Sequence, residues 1–164
     1  MTYCGIDNGI SGALAVLESD GSVRLHKTPV MELGDRGTFI DIVALAGLIL
    51  DGRDPAKISV VMEWGTKNPQ FGAEGNWSTG FSCGAVFSML RLKQVRISAV
   101  YAREWQKTML AGHRGGGEGT KTAAVAAVRR LYPQVNLIPP RCRKPHDGMA
   151  DALLMAHWGR EHRL

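Results

Sequence analysis

A chain of 164 residues has the length of one globular domain, and its 45% hydrophobic and 21% charged residues exclude a disordered or fibrous chain. No apolar run approaches the roughly 18–20 residues that cross a membrane, and no basic region precedes the first apolar segment as in a secretory signal. The three cysteines, Cys4, Cys83 and Cys142, are too far apart for a CxxC zinc site and odd in number for a disulfide framework. The expected compartment is therefore a reducing one, the cytoplasm of a bacterial or phage-infected cell; an organelle would require removal of a transit peptide. The net charge of +5 is unevenly placed. Residues 1–90 carry six Lys/Arg against ten Asp/Glu, a net −4, and residues 91–164 carry fourteen against five, a net +9. A basic half of this kind suits a polyanion.

In chain order, residues 3–7 read as a short apolar strand ending in the carboxylate Asp7. Asn8, Gly9 and Gly12 supply turn chemistry before a second strand at 13–17, and Asp20-Gly21 precedes a third at 23–26; the first two form a hairpin. Phe39, Ile42, Val43, Leu45, Ala46 and Ile49 recur at helical spacing and predict a helix over 38–50. Residues 58–63 read as a buried strand, the fourth, ending in Glu63. Residues 66–80, rich in Gly and Asn around Phe71 and Trp77, read as a loop of about fifteen residues, long enough to be functional. A helix follows at 81–92, with Phe81 in its core face and Gly84 and Ala85 permitting close packing, against its own sheet or against a second copy. A strand at 95–100 and a short helix at 102–110 precede residues 112–119, read as a mobile glycine-rich loop. Thr120 is a candidate N-cap for a helix over 120–131. A basic Pro-rich linker then leads to a last helix at 147–157. Strands first and alternation afterwards predict a single α/β domain over residues 1–164: a five-stranded mixed sheet, its first three strands antiparallel, with helices on both faces.

Three places put carboxylates where a plain core would not. Asp7 and Glu63 each end an apolar strand, and parallel neighbours would deliver both to one sheet edge, where open α/β sheets bind ligands. Asp147 and Asp151 lie four apart, on one face of a helix. Asp147 also reads as an ordinary N-cap. Asp151 sits among Ala, Leu and Met, and a lone buried charge there needs a partner. Converging carboxylates call for hard divalent cations, Mg²⁺ or Mn²⁺, and a pair of such ions can clamp both oxygens of an in-line phosphoryl displacement.

Gly5-Ile6-Asp7-Asn8-Gly9-Ile10-Ser11-Gly12, then Val60-Val61-Met62-Glu63, then Asp147-Gly148-Met149-Ala150-Asp151 resemble RuvC-type Holliday junction resolvases, a family with the ribonuclease H-like fold. Trp77-Ser78-Thr79-Gly80-Phe81, Met89-Leu90, Trp105, Leu110-Ala111-Gly112, Gly119-Thr120-Lys121 and Leu131-Tyr132-Pro133 are most similar to the chloroplast branch. The resemblance implies a homodimer that nicks the continuous strands of four-way junction DNA with two Mg²⁺ or Mn²⁺ ions per site, leaving 5′-phosphate and 3′-hydroxyl ends. It implies catalytic and metal-binding roles for Asp7, Glu63 and Asp151, and basic positions near the scissile phosphate for Lys107 and Lys121. The fourth ligand departs from both family patterns: where bacterial relatives place an acid or histidine this chain has Gly148, and where the chloroplast pattern has an acid it has His146. The i,i+4 spacing favours Asp147, with His146 the alternative.

Arg114, Arg129, Arg130, Arg141, Arg143 and Lys144 are expected phosphate contacts, which position but do not specify. Phe71 and Trp77 are candidates for stacking on unpaired bases. The first of these motifs also resembles the phosphate loop of sugar kinases and actin-like ATPases, which need two such domains to hold a nucleotide; none is expected here. A ribonuclease H acting on RNA–DNA hybrids and a catalytically idle nucleic-acid binder are the remaining rivals.

Overall fold

The computed structural model describes residues 1–111 and 118–164, apart from the side chain of Glu118. β1 (Thr2–Asp7), β2 (Ala13–Leu17) and β3 (Val23–Lys27) form an antiparallel meander. A tight turn, in which the Gly12 N–H donates to the Gly9 carbonyl at 3.0 Å, joins the first two. A small hairpin follows, β4 (Val30–Glu32) against β5 (Thr38–Ile40). Beyond α1 (Ile42–Leu50), β6 (Ile58–Glu63) lies parallel to β1, and after α2 (Gly72–Leu92), β7 (Arg96–Val100) lies parallel to β6. The sheet order is β3-β2-β1-β6-β7, the five-stranded mixed sheet expected. α3 (Ala102–Met109), α4 (Glu118–Leu131) and α5 (Asp147–Glu161) complete the described elements.

Strand alternation sorts side chains onto two faces. Cys4, Ile6, Leu14, Val16, Ile58, Val60 and Met62 meet Leu45, Ile49, Val86 and Leu90 of α1 and α2. Ala13, Ala15, Leu17 and Val61 meet Trp105 of α3, Ala124 and Val128 of α4, and Leu153 and Leu154 of α5. By the same period of two, Gly5, Asp7 and Glu63 share the α5 side. Gly5 has no side chain because α5 lies directly over it: a methyl group there would collide with the Ala152 carbonyl and the Ala156 amide. Gly5→Ala is accordingly expected to push α5 off the sheet and cost at least ~3 kcal/mol, read as a lowered denaturant midpoint. A variant as stable as wild type would contradict this packing.

Four expectations are corrected. Residues 38–40 pair as β5, Met31 opposite Phe39, instead of opening a helix; Asp41 caps α1 by accepting from the Val43 and Ala44 amides at 3.1 and 2.9 Å. Most of the segment read as a loop over 66–80 is helical, because α2 begins at Gly72 and not near Phe81. Gly and Asn have poor intrinsic helix propensity, which the Asn76 amide offsets by donating to the carbonyls of Asn68 and Gly72 at 2.8 and 2.6 Å. Phe81 is not core: it is 48% exposed, stacked on Trp77 at 5.2 Å and edge-on to Phe39 at 5.5 Å. Gly84 also faces open space, so it is not packed on its own sheet. Thr120 is not an N-cap but lies inside α4, which starts at Glu118 and so includes the last two residues of the expected glycine-rich loop. The remainder of that loop, residues 112–117, falls outside the described residues, as does the expected phosphate contact Arg114. Among the described residues no helix is long and apolar enough to cross a membrane, and the three cysteines are free.

Candidate active site

The parallel register sets Ile6 opposite Met62, so Asp7 and Glu63 leave adjacent strand ends together. α5 descends onto the same corner. Its N-cap is His146, whose Nδ1 accepts from the Met149 amide at 3.3 Å, and Asp147 is its first helical residue. Asp147 is thus not the cap. One turn further in, Asp151 faces the strand ends, its Oδ1 buried and without a hydrogen-bond partner.

The charges of neighbouring acids act on Asp7 and Asp151. Burial, then the charges of Glu63 and Asp147, push the Asp7 carboxyl up to about 7. Burial, then Asp7, Glu63 and Asp147, push Asp151 up to about 8. Glu63 is raised by burial, against a hydrogen bond from the indole N–H of fully buried Trp105 to its Oε2 at 3.3 Å. Asp7 and Asp151, raised this far, retain protons near neutrality and release them when cations arrive. Asp147 is the exception. Lys121, in the first turns of α4, meets its Oδ2 at 2.7 Å and holds it below the usual carboxylate range.

All four acids supply hard oxygen donors, the set that suits Mg²⁺ or Mn²⁺. The orphaned Asp151 oxygen and the buried, crowded carboxyls are what a cation would satisfy. Among the described residues no three such side chains stand close enough to hold an ion as they are. His146 is bound into the helix cap through Nδ1, and its pKa is lowered, chiefly by burial.

Gly148, the point of departure from the family pattern, has a steric role. A methyl group there would run into Asp7 Oδ2 and press on His146, so a glycine lets the first turn of α5 close on Asp7. Sequence reasoning missed this, as it missed the orienting bond from Trp105; the buried tryptophan near a strand-end acid was the available signal.

The basic residues divide. Lys121, Arg129 and Lys144 line one groove of about 660 Å³ together with Asp147, and the charge of Lys121 reaches Asp7 and Asp151. Arg130, Arg141 and Arg143 are exposed but do not line it, and Lys107 is exposed on α3. Phe71 lines a cleft beside Glu63. Trp77 is 61% exposed further along α2.

A β3-β2-β1-β6-β7 mixed sheet with helices on both faces, an acid ending each of its central strands and a third on the last helix, defines a ribonuclease H-like fold. Within that class the chain has the fold of RuvC. It is similar to Thermus thermophilus RuvC in complex with a Holliday junction substrate, at 18% identity and a TM-score of 0.61, over 99% of this chain and 96% of the other. It is also similar to a second structure of Thermus thermophilus RuvC, at 20% identity and a TM-score of 0.58, over 99% and 97%. No protein-family model and no curated protein matches the sequence.

Proposed function

We propose that the protein is a Holliday junction resolvase, a structure-selective endonuclease of the DNA-containing cytoplasm that nicks four-way junctions as a homodimer. The observation that carries this is the convergence of Asp7, Glu63 and Asp151, from three distant stretches of chain, at one corner of the sheet, where burial raises all three carboxyls and the charge of Glu63 raises Asp7 and Asp151 further. Asp7, Glu63, Asp151 and Asp147 would together hold two Mg²⁺ or Mn²⁺ ions. When bound, such ions acidify a water and neutralise both oxygens of an in-line displacement at phosphorus.

The chain's own groups do the rest. Trp105 holds the Glu63 carboxylate in line through its N–H. Asp7 and Asp151 give up their protons as cations enter. Lys121, with Asp147 beside it, offsets charge building on the phosphate and delivers the backbone to the acids. Cleavage would leave a 5′-phosphate and a 3′-hydroxyl, as the resemblance to the resolvases implies. The outward face of α2, with Trp77, Phe81 and Gly84 exposed, is the proposed dimer surface.

The deciding assay compares a synthetic four-way junction with linear duplex and RNA–DNA hybrid in Mg²⁺. Paired symmetric nicks in the junction, with the linear substrates largely intact, are expected; preferential cutting of the hybrid would reassign the protein to hybrid hydrolysis. In the basic groove, Arg129→Ala and Lys144→Ala should each lower junction affinity across all sequences and reduce the slope of log affinity against log salt by about 1. An unchanged slope in both would remove the groove from the DNA path.

A further inference from the structure

The strand register sets two cations that the mechanism above leaves unused at opposite ends of the row of acids. The first is Lys27. β3 ends in it at the same end of the sheet where β1 ends in Asp7 and β6 in Glu63. Across the antiparallel meander Asp7 lies opposite Ala13, and Ala13 opposite Lys27. Residues directly opposite one another point to the same face of a sheet. Ala13 belongs to the core on the α5 side, so Lys27 projects to the side of the acids. Two inter-strand spacings separate its backbone from that of Asp7, roughly 10 Å.

The second is Arg103, on the other flank. Glu63 pairs with Val100 at the end of β7, and Arg103 follows in the first turn of α3. It lines the cleft beside Glu63, its guanidinium 5.5 Å from the Tyr101 ring centroid. The sheet order β3-β2-β1-β6-β7 therefore arranges Lys27, Asp7, Glu63 and Arg103 in that sequence along one end of the sheet, a cation at each extreme and the carboxylates between.

Neither charge is committed to a carboxylate. Both side chains are exposed, and among the described residues neither enters an ion pair, whereas Lys121 is engaged by Asp147 at 2.7 Å. The charge of Lys27 is felt at His146, the cap of α5, whose pKa is lowered by burial first and by Lys27 besides, against Asp147. Neither cation lines the groove of Lys121, Arg129 and Lys144. A row of carboxylates repels a phosphodiester at close range until cations offset it. Lys27 and Arg103 supply that offset at the two places where a backbone crossing the acids would enter and leave. With about 3.4 Å of duplex axis per nucleotide, 10 Å corresponds to about three nucleotides.

We propose that the DNA strand to be cut lies across the end of the sheet, transverse to its strands, with Lys27 gripping a phosphate on one side of the acids and Arg103 a phosphate on the other. The assignment rests on the nuclease reading above and adds to it the course of the strand through the site.

The test uses the full-length protein and four-way junctions in which single phosphates of a continuous strand, the first few on either side of the branch point, are replaced in turn by uncharged methylphosphonates. Affinity is measured by gel shift in chelator, and nicking of the unmodified junction is measured in Mg²⁺. At low ionic strength wild type should lose affinity about three- to fivefold for at least one replaced phosphate on each side. Lys27→Ala should abolish one of these sensitivities on one side only, and Arg103→Ala one on the opposite side only; Lys27→Arg should keep the wild-type pattern. Sensitivities lost on the same side in both variants, or retained in full by either, overturn the proposed course. If unmodified junctions are nicked and the reciprocal pattern is absent, the strand path falls and the nuclease stands. If the pattern appears and no junction is nicked, the path stands and the resolvase reading falls.

Discussion

Asp7→Asn is expected to reduce junction nicking by at least about a thousandfold while leaving junction affinity within about twofold of wild type. The substitution is isosteric, so it respects the close approach of Gly148 to Asp7 Oδ2 that lets α5 seat on the sheet. What it removes is the charge. Asp7 stands between Glu63, on the neighbouring parallel strand, and Asp147 and Asp151 on α5, and the charges of Glu63 and Asp147 both act on it. Asp151 also feels the charges of Glu63 and Asp147, but it has its own place in the proposed site and cannot stand in for Asp7 as well. Affinity is carried elsewhere, by Lys121, Arg129 and Lys144 along their groove. Nicking and gel-shift measurements on the same preparation check both halves. Wild-type cutting by the variant in Mg²⁺ would remove Asp7 from the chemistry.

Asp151→Asn should make the metal-free protein more stable at pH 8, by roughly 5 °C in melting temperature, and no more stable near pH 4. The sign follows from the raised carboxyls. Asp7 and Asp151 hold their protons in the folded state up to about 7 and about 8, whereas an unfolded aspartate releases its proton near 4. The folded state therefore binds more protons across that interval, and stability falls as pH rises from about 4 to about 8, then levels off. An amide carries no such charge and escapes the loss. Mg²⁺ should restore the wild type at pH 8 by binding the folded state, and restore the variant much less. Melting curves in chelator and in Mg²⁺ at the two pH values make the comparison. A wild type that grows more stable from pH 5 to pH 8 without metal would show that these acids are neither buried nor crowded as described. The expected trade, stability surrendered for a charged site, is common where catalytic groups are gathered.

Much of this corner was legible in the chain. Asp7 and Glu63 each close an apolar strand, and Asp151 interrupts an Ala, Leu and Met stretch, so each stood out against its immediate neighbours. Local pattern failed where a neighbour in space overrules it. Phe39 fits a helical stripe, yet it pairs with Met31 in a hairpin because Asp41 starts the helix two residues later. Gly72, Gly75 and Asn76 read as loop, yet they are helical because the Asn76 amide ties the helix start to the segment before it. Phe81 reads as core, yet it lies on the outward side of α2 with Trp77.

The amino-acid order by itself determined the five strands of the main sheet, their alternation between two apolar faces, and the identity of the acids at its edge, since each depends on residues within a few positions of one another. Tertiary structure alone decided that Gly5 and Gly148 must lack side chains, that Lys121 pairs with Asp147, and that Trp105 orients Glu63. Those are facts of close approach between segments far apart in the chain. Steric exclusion and desolvation act at contact distance, so only packing brings them into being.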